Sequence, residues 1–224
     1  MDTLQIPVTE YAYLEGVSWD QYESLLEQAG DRPLRFTYDD GRLEIMTLSF
    51  EHEWSSENIG WLIGLLALVL KMPFQPGGST TMKRKLKKKG LEPDKCYWFQ
   101  HEKLMRGKKK FDLTTDPPPD LAVEVDVTRS VIKRMNIYAA LRVPEVWRFR
   151  RNRLLAYLRQ ADGTYKPSER SRLFPFLAMS ELQRFIERSA TMDQATLGRE
   201  FMDWVETEIK PRLDGGRRNG RRSQ

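Results

Sequence analysis

Hydrophobic and polar residues along the chain follow two periods, and the changes between them predict its elements. Apolar residues at helical spacing predict helices over 18–30, 50–71 and 130–143, and over the two closing segments SELQRFIER and DQATLGREFMDWVETEIKPRL. Alternating residues predict a hairpin over 34–49 that turns at Asp40-Gly41, and strands over 80–86, 91–100, 121–128 and 145–167. Ser130 is the predicted N-cap of the third helix, and Pro144 ends that helix.

The connection from the strand at 121–128 to the strand at 145–150 is long enough, with its helix, for a right-handed parallel crossover. Residues 103–119 are charged, end in three prolines and predict a loop. Glycine-rich phosphate loops of the GxGxxG and GxxxxGK[ST] types are absent from the sequence. We therefore expect an α/β fold in which a mixed β-sheet is flanked by helices.

The strand at 121–128 carries acids on one face only. Every second residue from Leu121 to Val127 is apolar, whereas Asp120, Glu124 and Asp126 share the opposite parity. Two interpretations are open: an edge strand with its acids in water, or carboxylates that hold a cation. Asp94 begins the preceding aromatic strand, so these acids converge if the two strands are neighbours. Clustered carboxylates favour a divalent cation, and their oxygens suit Mg²⁺ or Mn²⁺.

Composition and charge narrow the possible partners and compartment. The chain has 224 residues, 31% of them charged, with a net charge of +5, so nucleic acid is a candidate partner. A single cysteine, no apparent signal peptide and an apolar run at 59–74 too short for a bilayer span predict a cytoplasmic protein without a membrane segment. Two basic clusters form either solvated loops or a rim that contacts phosphates, through Lys83, Arg84, Lys85, Lys87, Lys88, Lys108 and Lys109.

Several separated blocks, taken in order, resemble one known family. The main blocks are GLEPDKCYWFQHE and PPPDLAVEVDVTRSVIKRMNIYAALRVPEVWRF; smaller ones are YLEG, DGRLEIM, SFEHEWSSENIGWLI and GSTTMKRK. Over roughly residues 10–185 the chain resembles the Uma-type putative restriction endonuclease family of the PD-(D/E)XK nuclease superfamily.

The resemblance implies a fold, an activity and partners. The fold would be a restriction-endonuclease-like α/β domain, which we expect over 1–190; the sequence pattern itself predicts a C-terminal helix over 191–213 and a basic disordered tail over 214–224. The activity would be a Mg²⁺- or Mn²⁺-dependent endonuclease acting on DNA, in a homodimer whose subunits each cut one strand. The alternative is a nuclease fold that binds nucleic acid or a protein partner without cutting.

The superfamily pattern carries over to specific residues. Asp94 matches the first metal-binding acid, and Glu124 matches the acid of the D/E-x-K element. Asp126 stands where that element has lysine, and the basic role passes to Arg134 in the next helix, with Lys133 beside it. Arginine keeps its proton, so it can stabilise negative charge but cannot act as a base.

Three further polar residues each have two open interpretations. Asp120, in the second Pro-Asp pair, competes with Asp94 for the role of first acid and is a further candidate metal ligand. Glu44, in the hairpin, is either an extra metal ligand or a solvated strand acid. His52, ahead of the long helix, either contacts phosphate or substrate or has a structural role.

Overall fold

Two β-sheets with helices packed against them make up the computed structural model, which describes residues 11–30, 32–126 and 130–213. The expected tail over 214–224 and the last two residues of the expected strand at 121–128 lie outside the described residues. The predicted α/β class and its mixed sheet flanked by helices are confirmed. The hairpin belongs to a separate sheet.

The first sheet is antiparallel and has the order β1-β3-β2-β6-β5. Its strands are β1 (Tyr11–Leu14), β2 (Leu34–Asp39), β3 (Arg42–Thr47), β5 (Met82–Arg84) and β6 (Lys89–Leu91). The predicted hairpin turn is confirmed, with positive φ at Asp40 and Gly41. Lys88, in a left-handed conformation, turns the chain back into β6, which pairs with β2 and so brings the basic segment into this sheet.

Helix α1 (Trp19–Ala29) covers one face of the first sheet. Ser18 caps it, and the Tyr22 ring stacks on the Tyr38 ring of β2 at 4.7 Å. The packed aromatic residues give this sheet a hydrophobic cluster of its own.

The second sheet is mixed and has the order β11-β10-β9-β8-β7-β4. Its strands are β4 (Gln75–Gly78), β7 (Lys95–Trp98), β8 (Leu121–Asp126), β9 (Glu145–Arg150), β10 (Arg153–Arg159) and β11 (Tyr165–Ser168). The predicted parallel crossover is confirmed, because β8 and β9 pair in parallel. Strand β8 lies between β7 and β9 with both faces buried, so its interpretation as a half-solvated edge strand is wrong.

Three helices form the largest hydrophobic core with the apolar face of the second sheet: the first two pack on its strands, and the third packs on these two helices. They are α2 (Phe50–Val69), α5 (Met179–Arg188) and α6 (Gln194–Trp204), and α6 continues as a π-helical turn over Val205–Ile209. Leu121, Val123 and Val125 of β8 all point into this core. The C-terminal helix therefore packs against the main domain. No helix among the described residues is long and apolar enough to cross a membrane.

Two short helices depart from the predicted boundaries. The segment expected to be a loop contains α3 (Glu102–Met105). The crossover helix α4 (Arg134–Leu141) begins later than predicted, with Lys133 at its N-cap. The prediction of Ser130 as that N-cap is wrong, because its hydroxyl donates to the Glu44 carboxylate, 2.9 Å away. The chain thus enters α4 through a segment tied to the first sheet.

Candidate active site

Asp94 and Glu124 lie side by side on neighbouring strands. The register that pairs Lys95 with Val123 puts Asp94 opposite Glu124. The Asp94 backbone N–H donates to the Val123 carbonyl at 3.1 Å, and Asp94 Oδ2 accepts the Val125 N–H at 2.6 Å. These two contacts fix Asp94 at the start of β7. The predicted convergence of the two acids is present in the structure, and both side chains line one small pocket.

Glu124 is buried, with 4% of its surface exposed, and an arginine holds its carboxylate. Arg134 Nε donates to Oε2 at 2.9 Å and Nη2 donates to Oε1 at 2.7 Å. The Tyr138 hydroxyl also donates to Oε1. Burial raises the pKa of Glu124 to about 7, with nearby Asp94 adding to the rise and Arg134 opposing it. Burial and the Glu124 charge raise the pKa of Tyr138 well above its ordinary value, so its hydroxyl remains a donor.

Arg134 also links the site to the first sheet. Its Nη1 donates to the Thr37 hydroxyl of β2, and its Nη2 donates to the Glu92 carbonyl at 2.7 Å. With two further bonds on Glu124, most of the guanidinium donors are engaged inside the protein. Arg134 therefore positions Glu124, and it joins the two sheets where the pocket lies.

His52 contacts the other acid of the pair. It lies in the first turn of α2, where its backbone N–H donates to the Ser49 side chain, and its Nε2 lies 3.2 Å from Asp94 Oδ2. Burial lowers the pKa of His52, but Asp94 and the other nearby carboxylates outweigh burial and raise it. Its Nδ1 is buried and has no hydrogen-bond partner among the described residues. This geometry orients Asp94 and keeps the imidazole away from solvent.

Asp126 and Lys133 lie at the outer side of the pair. Asp126 lines the small pocket and the two larger cavities beside it, and its carboxylate accepts a hydrogen bond from Arg148. Lys133 is exposed and lines one of the larger cavities. Of the two adjacent basic residues that the sequence singled out, Arg134 faces inward to Glu124 and Lys133 faces the outer cavity.

The structure does not bring Asp120 or Glu44 into the pocket. Asp120 Oδ2 accepts backbone N–H groups after β7, including that of Phe99 at 2.8 Å, and Oδ1 lies 2.6 Å from His101 Nδ1. Glu44 accepts from the Ser130 hydroxyl and the Val131 N–H, and so anchors the segment that leads to α4. Both carboxylates are buried and make structural contacts, and Glu44 makes them through Oε2, while its Oε1 has no hydrogen-bond partner among the described residues.

The basic clusters are largely paired with acids. The ion pairs join Lys83 to Glu23, Lys85 to Asp20, Lys88 to Asp40 and Lys108 to Asp116, and Arg84 donates to the Leu113 carbonyl. In the described part of the chain, Lys87 and Lys109 form no ion pair. Sequence analysis overlooked Arg148 and Arg150, which line the cavity beside the acids. The sequence feature that could have identified them is the alternation of arginine with other residues in WRFRRNR.

The oxygen atoms of Asp94 and Glu124 decide whether the pocket suits a metal ion. No group of three or more histidine, cysteine, aspartate and glutamate side chains among the described residues is arranged to hold one. Mg²⁺, however, commonly uses one or two carboxylates and completes its shell with water and phosphate oxygens. Asp94 Oδ1 accepts no hydrogen bond from the described residues, and Glu124 Oε2 accepts one, so each oxygen retains a free lone pair. The two acids therefore fit a hydrated Mg²⁺ in their chemistry.

Comparisons with known proteins identify the family and the fold of the chain. The family model Uma2, described as "Putative restriction endonuclease", matches residues 19–195. The fold is similar to that of a solved protein from Anabaena variabilis described as a putative nuclease belonging to DUF820. That similarity has a TM-score of 0.50 at 11% sequence identity, and it covers 73% of this chain and 97% of the other, so it shows the fold alone. The curated proteins contain no match. Because the family model spans most of its length, the chain belongs to the Uma2 family of putative restriction endonucleases.

Proposed function

We propose that this protein is a metal-dependent endonuclease that hydrolyses phosphodiester bonds in DNA. The observation that carries the proposal is the pair of acids from adjacent strands, Asp94 and Glu124, in one pocket at the edge of a cationic cavity. The family and its general use of divalent cations support it. Asp94 and Glu124 would hold the Mg²⁺ or Mn²⁺ ion.

Neighbouring residues hold both acids in place before substrate binds. Val125 and His52 fix Asp94, while Arg134 and Tyr138 fix Glu124. When bound, the metal ion supplies Lewis-acid stabilisation of phosphate charge and makes a bound water more acidic. Preorganised ligands avoid the cost of reorganisation during the reaction.

Other residues take the tasks that lysine performs in the superfamily pattern. Lys133 is exposed beside the pocket, so its ammonium group would supply positive charge to the phosphate backbone of the bound strand. Asp126 stands at the lysine position and lines the pocket, so its carboxylate would accept a proton from the attacking water. Arg134 has no part in proton transfer because arginine stays charged, and its donors hold Glu124.

A plasmid-nicking assay tests the proposal. Purified protein is incubated with supercoiled DNA and Mg²⁺ or Mn²⁺, beside an Asp94→Asn/Glu124→Gln double variant. The matched control is Asp203→Asn, which removes an exposed acid of α6 outside the pocket. We expect the wild type and the control to nick DNA, and the folded double variant to lose this activity. Equal nicking by all three proteins would refute the assignment.

Two observations favour a second function, in which the protein binds nucleic acid or a protein partner without cutting. Arg134 occupies the carboxylate of Glu124, and Asp126 replaces the lysine of the superfamily pattern. Salt-dependent retention of DNA without nicking by the wild type would select nucleic-acid binding. If neither DNA binding nor nicking is detected, a protein partner is the remaining form of this function.

The biological assembly and compartment are also part of the proposal. We propose a homodimer by analogy with the superfamily, whose members often dimerise so that each subunit cuts one strand. Light scattering of the purified chain measures this directly. The sole cysteine, Cys96, is buried and unpaired, which fits a reducing compartment such as the cytoplasm.

A further inference from the structure

A cationic cavity of about 400 Å³ lies beside the carboxylate pocket. Its positive side chains come from two elements: Lys133 precedes α4, and Arg148 and Arg150 lie on β9. Asp126 and Arg134 line both the cavity and the carboxylate pocket, so the two spaces adjoin. A cavity of this volume is within the range of small-ligand sites, so it can accept a sugar-phosphate unit.

Arg148 is held in place at the wall of this cavity. Its guanidinium donates to the Asp126 carboxylate on one side and lies over the Tyr157 ring, 5.6 Å from the ring centroid, on the other. Arg150 follows two residues later and therefore points to the same side of β9. The strand thus presents two guanidinium groups to one space, and guanidinium geometry suits phosphate oxygens.

Lys133 and Arg150 differ from most cations of the basic clusters. Both are exposed, and in the part of the chain that the structure describes neither forms an ion pair. Lys83, by contrast, pairs with Glu23 at 2.8 Å. The positive charge beside the carboxylate pocket is therefore less compensated than that of the lysine-rich segments.

A second cavity that Asp126 also lines has more acidic than basic side chains around it. It measures about 390 Å³, and Glu51 and Glu187 line it together with Arg151. The two glutamates disfavour a phosphate there. A nucleic-acid strand that passes the carboxylate pair would therefore run toward the cavity of Lys133, Arg148 and Arg150.

We propose that Lys133, Arg148 and Arg150 form a subsite for a backbone phosphate adjacent to the scissile one. The identity of the ligand as a nucleic-acid strand rests on the proposed function, whereas the subsite itself can be tested without cleavage. The contacts are to phosphate oxygens, so the subsite would hold strands of any sequence and set their position relative to Asp94 and Glu124.

Fluorescence anisotropy with a labelled DNA duplex in EDTA tests the subsite. The variants are Lys133→Gln and Arg150→Gln, and the matched controls are Lys166→Gln and Arg184→Gln, which remove exposed cations outside the cavity. Each phosphate contact contributes about 0.9 to the slope of the logarithm of the binding constant against the logarithm of the salt concentration. The loss of affinity in each variant should therefore be roughly eightfold greater at about 0.1 M salt than at about 1 M salt. The slope should fall by about 0.9 for each variant, and the controls should match the wild type.

The outcomes separate this subsite from the proposed nuclease activity. The subsite would be overturned if both variants bound DNA with the affinity and salt dependence of the wild type. It would also be overturned if the wild type showed no salt-dependent DNA binding. Loss of binding in the two variants but not in the controls would support it, even if the wild type fails to nick DNA. Nicking by the wild type with unchanged binding in the variants would keep the nuclease proposal and remove the subsite. Circular dichroism confirms that each variant is folded.

Discussion

Replacing Arg134 with methionine would leave the Glu124 carboxylate buried without its counter-charge. The two side chains are 12% and 5% exposed, so little water could replace the lost guanidinium. Breaking a buried ion pair from one side costs about 3–5 kcal/mol. The Thr37 hydroxyl and the Glu92 carbonyl would also lose the contacts that join the two sheets. We therefore expect the Arg134→Met variant to lose about 3–5 kcal/mol of unfolding free energy at alkaline pH.

The loss of unfolding free energy in Arg134→Met should be larger at high pH than at low pH. The pKa of Glu124 is already raised to about 7, and removal of Arg134 would raise it further. A group with a raised folded-state pKa stabilises the fold below its unfolded-state pKa, and this contribution is lost as pH rises through the folded-state value. The deficit of Arg134→Met should therefore be largest at about pH 8.5 and smaller near about pH 5, where Glu124 is protonated.

Urea denaturation followed by circular dichroism at both pH values measures this deficit. Arg184→Met, an exposed replacement on α5, is the matched control and should stay within about 0.5 kcal/mol of the wild type. Adding Glu124→Gln to Arg134→Met removes the orphaned charge, so the double variant should be more stable than the single one at alkaline pH. A deficit under about 1 kcal/mol at both pH values, or one that grows as pH falls, would refute the reasoning.

Three other substitutions give separate tests. Asp120→Asn should lose about 1–3 kcal/mol of stability in urea, because it weakens contacts to His101 and the turn, but nicking per folded molecule should not change. Gly77→Ala would put a Cβ 2.5 Å from Trp98 Cζ3, and we expect about 1–3 kcal/mol of destabilisation in the same assay; wild-type stability would contradict this. Glu124→Gln should flatten the loss of stability between pH 4.5 and about 7, and an unchanged pH profile would argue against a raised Glu124 pKa.

Local patterns were enough to predict much of the fold. The residues that tolerate positive φ at Asp40-Gly41 fix the hairpin, and the helix between β8 and β9 fixes a parallel crossover. The pairing of Lys95 with Val123 follows from two strands that are neighbours in sequence, so the meeting of Asp94 and Glu124 was predictable. The separate first sheet was not, because it depends on β6 pairing with β2, which precedes it in the chain by β3, α2, β4 and β5.

The partners of the site residues were harder to predict. Alternation alone made β8 resemble a half-solvated edge strand, but β8 has a neighbouring strand on each side, and Arg134 and Tyr138 of α4 cover Glu124. The sequence pattern around Tyr138 indicates a core aromatic residue. Its contact with Glu124 could not be predicted, because that contact depends on how α4 lies over β8. Asp120 shares the Pro-Asp pattern of Asp94, but its backbone contacts with the turn after β7 show a structural role. Sequence spacing does not encode such three-dimensional choices.

Calorimetric titration of Mn²⁺ into the purified protein tests the central claim most directly. The comparison is between the wild type and Asp94→Asn, which preserves side-chain size but removes one of the two proposed ligand charges. Asp203→Asn serves as the control because its carboxylate lies outside the pocket. We predict saturable Mn²⁺ binding by the wild type and the control, and its loss in folded Asp94→Asn. Identical binding isotherms for all three proteins, or no binding by the wild type, would contradict the account.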